Sequence, residues 1–218
     1  MTEFLAPALP LPVLASLEVL LAEARSYGFL GPGPVADQIA RSLAFTRMVT
    51  TVPQFAVDLG SGGGLPAVVL VLAWSDSQWA LVESNQRKAA WLEGAVARLG
   101  VDDRVQVICE RAENVGRSSL RGSADLVTAR SFGPPAPTAE CAAPLLKPGS
   151  HLLVADPPEH PPSRWPAEGL AEVGLVLEKT QVVETDAGPA SISCFVAASA
   201  CAPRYPRRVG IPLKRPLF

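Results

Sequence analysis

The sequence predicts an α/β fold with a Rossmann-like, seven-stranded and mostly parallel sheet. Short apolar runs alternate with amphipathic helical segments through the middle of the chain, as in parallel sheets whose faces are covered by helices. The first of these runs ends in a cluster of glycines that leads into a helix. Near the C-terminus, two β-rich runs at residues 174–184 and 192–199 flank a turn at 186–189 and predict an antiparallel hairpin on the sheet edge.

The composition is that of one globular domain with a short extension. The 218 residues are 48% hydrophobic and 18% charged, which supplies enough apolar surface for a buried core and excludes global disorder. The formal charge of −2 argues against a surface coated with positive charge for non-specific nucleic-acid binding.

The N-terminal part, residues 1–50, predicts a helical cap. Apolar positions repeat at helical spacing over residues 13–26, a turn rich in glycine and proline occupies 28–34, and a second helix is predicted over 35–50. This cap precedes the first predicted strand of the sheet.

No targeting or metal-binding pattern is evident in the sequence. The apolar stretch from Phe4 to Leu21 is broken by prolines and a glutamate, so it matches neither a signal peptide nor a membrane span. The four cysteines form no CxxC pair and the chain has two histidines, so no metal site is predicted. We expect a cytoplasmic protein with reduced thiols, no membrane partner and a monomeric state.

The sheet domain is predicted over residues 51–203. Its parallel strands are predicted at five apolar runs, residues 55–59, 78–83, 105–109, 125–129 and 151–155. Helices are predicted between the strands at residues 65–73, 84–99 and 138–145. Pro66 is expected in the first turn of the first helix and Ser84 as the N-cap of the second. Residues 156–166 predict a proline-rich loop.

The most informative segment is Asp58-Leu-Gly-Ser-Gly-Gly-Gly-Leu-Pro66. We expect Gly60, Gly62 and Gly64 to let a ligand approach the backbone at the carboxyl edge of the sheet. A nicotinamide dinucleotide needs G-x-G-x-x-G/A, which this turn and Ala67 also satisfy. S-adenosylmethionine instead favours an acid at the end of the first strand, because its methionine end carries an ammonium group. The carboxylate of Asp58 is placed there and would repel a pyrophosphate.

Two further acids follow the next strands. Glu83 ends the second strand, where its carboxylate could accept hydrogen bonds from both ribose hydroxyls of either cofactor. The third strand is followed by Arg111-Ala-Glu113, where an adenine edge would lie. A glycine turn without a ligand is the remaining alternative, but it does not explain acids at consecutive strand ends.

The sequence resembles the bacterial small-subunit (16S) rRNA guanine-N7 methyltransferases, the glucose-inhibited division protein B family. The glycine turn and Arg111-Ala-Glu113 contribute to the resemblance. Three further segments match as well, namely Asp125-Leu-Val-Thr-Ala-Arg-Ser131, Leu146-Lys-Pro-Gly149 and Tyr205-Pro-Arg-Arg-Val-Gly-Ile-Pro-Leu-Lys-Arg-Pro-Leu217. The resemblance implies a class I S-adenosylmethionine-dependent methyltransferase that releases S-adenosylhomocysteine and acts on 16S rRNA or the small ribosomal subunit.

The resemblance also implies roles for individual residues. Gly60 and Leu65 would contact the methyl donor, and Ala112 and Glu113 would flank its adenine. Arg130 would lie beside both the donor and the incoming guanine, where it would orient the guanine or balance the donor's carboxylate. An ordinary salt bridge at a strand end is the alternative for this arginine.

Two segments differ from the family pattern, and both lie on the substrate side. The N-terminal helices lack the histidine that family members carry, and Asp156-Pro-Pro-Glu159 stands where the family places Lys-Gly. The alternatives therefore include a methyltransferase for another substrate and a non-catalytic S-adenosylmethionine binder. The glycine turn adds an NAD-dependent oxidoreductase as a further alternative.

The charge is distributed unevenly along the chain. Residues 1–203 contain 14 of the 19 basic residues and all 21 acidic ones, so this part carries −7 and the last 15 residues carry +5. The tail, residues 204–218, is therefore the predicted RNA-binding segment, through Arg204, Arg207, Arg208, Lys214 and Arg215. A solvated terminus stiffened by prolines is the alternative.

Overall fold

A computed structural model describes residues 9–157, 159 and 161–218. The first eight residues of the predicted cap and residues 158 and 160 of the predicted loop lie outside these ranges. The chain forms a seven-stranded sheet in the order β3-β2-β1-β4-β5-β7-β6. The strands are β1 (Phe55–Leu59), β2 (Gln78–Val82), β3 (Val105–Ile108), β4 (Ala124–Arg130), β5 (Leu146–Asp156), β6 (Leu175–Val183) and β7 (Ala190–Ala197).

The strand pairing confirms the predicted fold class. Strands β1 to β5 pair in parallel, and β7 is antiparallel to both β5 and β6. The order reverses between β1 and β4, and such a switch point opens a crevice at the carboxyl ends of the strands. The predicted C-terminal hairpin is β6–β7, and β7 attaches it to the parallel sheet.

Eight α-helices belong to the described residues. They are α1 (Leu11–Ser26), α2 (Val35–Leu43), α3 (Ala67–Ala73), α4 (Gln86–Arg98), α5 (Ala112–Val115), α6 (Pro135–Ala142), α7 (Ala167–Glu172) and α8 (Ile211–Lys214). Within the described ranges no helix is long and apolar enough to cross a membrane. The short helices α5, α7 and α8 have no counterpart among the predicted elements.

Several predicted boundaries are wrong by a few residues. The second cap helix ends at Leu43 and continues as a 3₁₀ turn to Arg47. Helix α3 begins after Pro66, so this proline precedes the first turn instead of lying in it. Asn85, not Ser84, caps α4, because its side-chain oxygen accepts from the backbone N–H groups of Arg87 and Lys88.

Alternate residues of the strands bury opposite faces of the sheet, as the strand period of two requires. Val57 and Leu59 face one core cluster, whereas Ala56 and Leu81 face another. A third cluster, which includes Leu17, joins the cap to helices α3 and α4. The core thus has the sheet in the middle and helices on both sides.

Candidate active site

Two neighbouring pockets lie at the carboxyl edge of the parallel strands. The first, which we call the glycine-turn pocket, has a volume of about 320 Å³ and follows strands β1, β2 and β3. The second, the arginine pocket, has a volume of about 260 Å³ and follows β4, β5 and the start of β7. Both are lined by Ser131, Phe132 and Gly133, so the segment after β4 forms a wall that the pockets share.

The glycine turn has the backbone conformation that its sequence predicts. Gly60, Gly62 and Gly64 have φ values of 69°, 54° and 96°, which disfavour side chains with a Cβ. A Cβ on Gly60 would lie 2.8 Å from Cδ2 of Phe132. The missing side chain at this position therefore allows the shared wall to approach the turn.

Glu83 is buried beside the glycine turn. One carboxylate oxygen accepts from the Gly62 backbone N–H at 2.9 Å, and the other accepts from the Asn85 N–H at 2.7 Å. Each oxygen has a second lone pair available. The carboxylate thus lines the pocket in a fixed orientation, with accepting capacity for two ligand hydroxyls.

Ala112 and Glu113 also line the glycine-turn pocket, at the start of α5. The Glu113 carboxylate accepts from the Gly210 backbone N–H at 2.9 Å and pairs with Arg111 at 3.4 Å. Pro212 of the C-terminal segment forms part of the same pocket. The C-terminal segment is therefore a wall of this site, which the sequence did not indicate.

Asp58 lies at the end of β1, buried below the turn. Its Oδ1 accepts from Thr128 Oγ1 at 2.6 Å, whereas its Oδ2 has no hydrogen-bond partner among the described residues. Burial raises the pKa of Asp58 to about 7, in opposition to the hydrogen bond from Thr128. An unpartnered buried oxygen is costly, but Asp58 itself does not line the glycine-turn pocket, so its predicted contact with the cofactor remains a prediction.

Gly64 and Leu65 do not line the glycine-turn pocket. A Cβ on Gly64 would meet Val68 of α3 at 3.1 Å, and the Leu65 side chain packs in the cluster that joins the cap to α3. Their predicted contact with the cofactor remains a prediction, and the observed role of the Leu65 side chain is to pack the start of α3.

Arg130 lines the arginine pocket and not the glycine-turn pocket. Its terminal nitrogens donate to Gln38 Oε1 and, at 3.4 Å, to Ser42 Oγ, both on α2. Burial lowers the pKa of Arg130, and the like charge of Arg41 lowers it further. Among the described residues it forms no ion pair within 4 Å, so the alternative of a strand-end salt bridge is not observed.

The shared wall is strained at its first residue. Ser131 has a φ of 56°, the one positive value among the described non-glycine residues. Such conformations cost about 1–3 kcal/mol and cluster at functional sites. The Thr-Ala-Arg-Ser segment thus ends in a strained turn that places Phe132 between the two pockets.

The predicted RNA-binding tail is packed against the domain. Arg117 and Arg121 donate to the backbone carbonyls of Pro206 and Tyr205, and Phe218 packs against the core. These contacts are inconsistent with the alternative of a solvated terminus. They also mean that removing the tail would expose core surface.

The five basic residues of the tail have different environments. Arg207 pairs at 2.6 Å with Glu140, whose side chain is fully buried. The other four, Arg204, Arg208, Lys214 and Arg215, are exposed, and Arg204 lies 4.9 Å from the centre of the Tyr205 ring. Arg207 is therefore committed to a structural ion pair, whereas the exposed four are accessible to phosphate.

Sequence reasoning missed most of the arginine pocket. Arg41 comes from α2 and Arg164 from the segment after β5, and neither lies in a recognisable motif. The sequence also did not indicate that Gln38 holds Arg130. Positively charged residues that follow separate elements are only a weak indication of a binding site, because the sequence does not show that the fold brings these residues together.

Solved structures show which known fold the chain has. An O-methyltransferase from Bacillus cereus in complex with S-adenosylhomocysteine matches with a TM-score of 0.59 at 15% identity, covering 84% of this chain and 90% of that one. An O-methyltransferase from Streptomyces achromogenes, in complex with S-adenosylmethionine, matches with a TM-score of 0.56 at 16% identity, covering 83% and 90%. The chain has the fold of these methyltransferases.

The sequence comparisons define the family. Residues 35–156 match the family described as rRNA small subunit methyltransferase G, or GidB. Ribosomal RNA small subunit methyltransferase G of Synechococcus sp. is 34% identical over 175 residues, covering 76% of this chain and 70% of the relative. Its namesake in Thermotoga petrophila is 32% identical, covering 74% and 71%. The chain belongs to this methyltransferase family, and the resemblance identified from the motifs is confirmed.

Proposed function

We propose that the protein transfers the methyl group of S-adenosylmethionine to N7 of a guanine in the 16S rRNA of the small ribosomal subunit. The observation that supports this most strongly is the pair of pockets separated by the wall at Ser131–Gly133. One pocket offers carboxylates and backbone, and the other offers guanidinium groups and an aromatic surface. When bound, S-adenosylmethionine supplies an electrophilic methyl group.

The glycine-turn pocket would hold the donor. Glu83 would accept hydrogen bonds from the ribose hydroxyls, and Asp58 would pair with the ammonium group below the turn. Ala112 and Glu113 would flank the adenine. Each role uses a residue whose position is already fixed by hydrogen bonds or packing, which lowers the cost of ordering the site on binding.

The arginine pocket would hold the guanine. Phe45 and Phe132 line it as apolar surfaces, and Arg130 would orient the base or neutralise charge beside the donor. Guanine N7 has an in-plane lone pair, so no base is needed to remove a proton before transfer. Catalysis would rest on alignment and electrostatic placement.

The exposed cations of the tail would contact the RNA backbone outside the pockets. Arg204, Arg208, Lys214 and Arg215 have no acidic neighbour within residues 204–218, and contacts of this kind make affinity fall with salt. Since ribosomal subunits are cytoplasmic, the reaction would take place there.

Radiolabelled methyl transfer tests the proposal. Wild-type protein is incubated with labelled S-adenosylmethionine and, in separate reactions, with unmethylated small subunits, naked 16S rRNA and a small-molecule panel. The proposal expects label in rRNA as N7-methylguanine. Calorimetry with S-adenosylmethionine and with NADH runs in parallel and separates the cofactor classes. Donor binding without label in rRNA would contradict the assignment, and label in a small molecule would identify another substrate.

A further inference from the structure

We propose that the arginine pocket contains a phosphate-binding site, formed by Arg41 and Arg164 beside Arg130, that holds a backbone phosphate adjoining the target guanine. This inference rests on the proposed function for the source of the phosphate. Arg164 is the least expected of the three residues, because it comes from the proline-rich segment after β5.

Arg130 gives the first indication that an anion belongs in this pocket. It is partly buried, and its hydrogen-bond partners Gln38 and Ser42 are neutral. The acid that acts on it electrostatically is Asp58, whose own pKa is about 7. A buried cation without a full counter-charge is costly, and an incoming anion would remove that cost.

Arg41 adds a second guanidinium group to the pocket, at an exposed position. Its terminal nitrogen donates to the Ala187 carbonyl at 3.0 Å, and among the described residues no carboxylate lies within 4 Å of it. It is close enough to Arg130 to lower the pKa of that residue by like-charge repulsion. Both guanidinium groups line the same pocket, where a phosphate would accept charge-assisted hydrogen bonds from them.

Arg164 is fixed in place by a buried carboxylate. Its Nε donates to Asp156 Oδ1 at 2.8 Å, and the Asp156 side chain is fully buried. The same carboxylate also accepts from Trp165 Nε1 at 3.2 Å and from Ser193 Oγ. Asp156 is thereby a positioning residue that sets the direction of Arg164.

The charges of the pocket favour an anionic group. Three guanidinium groups and the carboxylate of Asp156 leave a net charge of +2 among the charged residues that line it. A neutral base alone would leave this repulsion in place, whereas a phosphodiester would reduce it and bind arginine with two hydrogen bonds. The donor's carboxylate is a second source of an anion, and the experiment separates the two.

The test uses the full-length variants Arg41→Gln and Arg164→Gln. Arg98→Gln is the control, because this arginine is exposed and pairs with Glu23 away from both pockets. Affinity for 16S rRNA is measured by filter binding over a range of salt concentrations, and affinity for S-adenosylhomocysteine is measured by calorimetry. Loss of one phosphate contact lowers the slope of log K against log salt by roughly 1.

We expect the slope to fall by roughly 1 in each pocket variant and to stay unchanged in the control, with S-adenosylhomocysteine affinity within about twofold of wild type. Unchanged slopes in both pocket variants would overturn the proposal. A loss of S-adenosylhomocysteine affinity by about tenfold or more, without a change of slope, would assign the anion to the donor's carboxylate instead.

A further variant tests the positioning role of Asp156. Asp156→Asn keeps the charge of Arg164 but weakens its anchor, so we expect kcat on rRNA to fall while the salt slope stays nearer to wild type than that of Arg164→Gln. A fall in melting temperature with normal kcat would contradict this role. Because the salt slopes are measured without turnover, the proposed phosphate site can be refuted while the proposed function stands. The proposed function fails if the wild type does not methylate rRNA.

Discussion

The glycine-turn pocket and the arginine pocket share a wall but satisfy their charges in different ways. In the glycine-turn pocket the carboxylates of Glu83 and Glu113 accept hydrogen bonds from the backbone N–H groups of Gly62 and Gly210. In the arginine pocket, Arg130 and Arg41 donate to neutral oxygens. The two glutamates of the glycine-turn pocket thus have hydrogen-bond donors within the protein, whereas the arginine pocket has excess positive charge.

This difference indicates how the two ligands would bind. A pocket whose polar groups are already placed can bind a small cofactor without rearrangement. A pocket with uncompensated cations gains most from an anionic polymer, which supplies the missing charge as it docks. Substitutions on the two sides of the wall should therefore affect donor binding and methyl transfer separately.

Arg130→Ala should produce the largest difference between the effect on methyl transfer and the effect on donor binding. Removal of one electrostatic contact that acts at the reacting centre costs about 10²–10³-fold in kcat, and we expect a loss of this size in methyl transfer to rRNA. Affinity for S-adenosylhomocysteine should change little. Single-turnover transfer and calorimetry on the same preparation measure both, and normal transfer would refute the role.

Glu83→Ala should show the opposite behaviour. Hydrogen bonds to a charged group contribute about 1.5–3 kcal/mol, so affinity for S-adenosylhomocysteine should fall by roughly 10- to 100-fold. Binding of rRNA should be unchanged. Glu93→Ala is the matched control, because it removes the same charge from an exposed position on α4. Equal donor affinity in the two variants would show that Glu83 does not bind the donor.

The pH dependence of donor binding tests Asp58. Since burial raises the pKa of this carboxyl to about 7, the ionised form that attracts an ammonium group is populated only as the pH approaches 7. Affinity for S-adenosylmethionine should rise by up to about tenfold per pH unit between about pH 5 and 7. Asp58→Asn should bind weakly at every pH in this range, as measured by calorimetry.

The same carboxyl makes an opposite prediction for stability. The folded state keeps its proton up to about pH 7, whereas the unfolded state loses it near pH 4, so the free energy of unfolding should decrease as the pH rises through this window. Chemical denaturation at several pH values measures the decrease. A decrease of the same size in Asp58→Asn would assign it to other groups.

Arg208→Ala should have the smallest effect. An exposed phosphate contact lowers affinity for rRNA uniformly and reduces the salt slope by roughly 1, while donor affinity stays at the wild-type value. Filter binding over a range of salt concentrations measures this. A variant with an unchanged slope would exclude Arg208 from the RNA surface. Arg207 is unsuitable for this test, because its removal would leave Glu140 buried and unpaired.

The fold was predictable because its signals are local. Alternating strands and helices and a glycine turn can be read within short windows, and they predict the parallel sheet and its hairpin correctly. Apart from the three short helices α5, α7 and α8, which were not predicted, the errors lie at the ends of elements, where side-chain contacts decide the boundary. At α4, for example, Asn85 forms the N-cap hydrogen bonds that Ser84 was expected to form.

The sites were predictable only in part, for the same reason. Gly60, Glu83 and Ala112 are spaced by the regular alternation of strands, and all three line one pocket. The arginine pocket depends on residues that are distant in sequence. Arg130 contacts Gln38, which is 92 positions away in the sequence. In the C-terminal tail, likewise, Arg207 contacts Glu140, which is 67 positions away. No motif in the sequence predicts these contacts.

A crystal structure with S-adenosylhomocysteine would show whether the donor and the acceptor occupy separate pockets on the two sides of Phe132. We expect the ribose at Glu83, the adenine beside Ala112 and the sulfur directed towards the shared wall, with the arginine pocket left open. S-adenosylhomocysteine bound among Arg41, Arg130 and Arg164 would contradict this expectation.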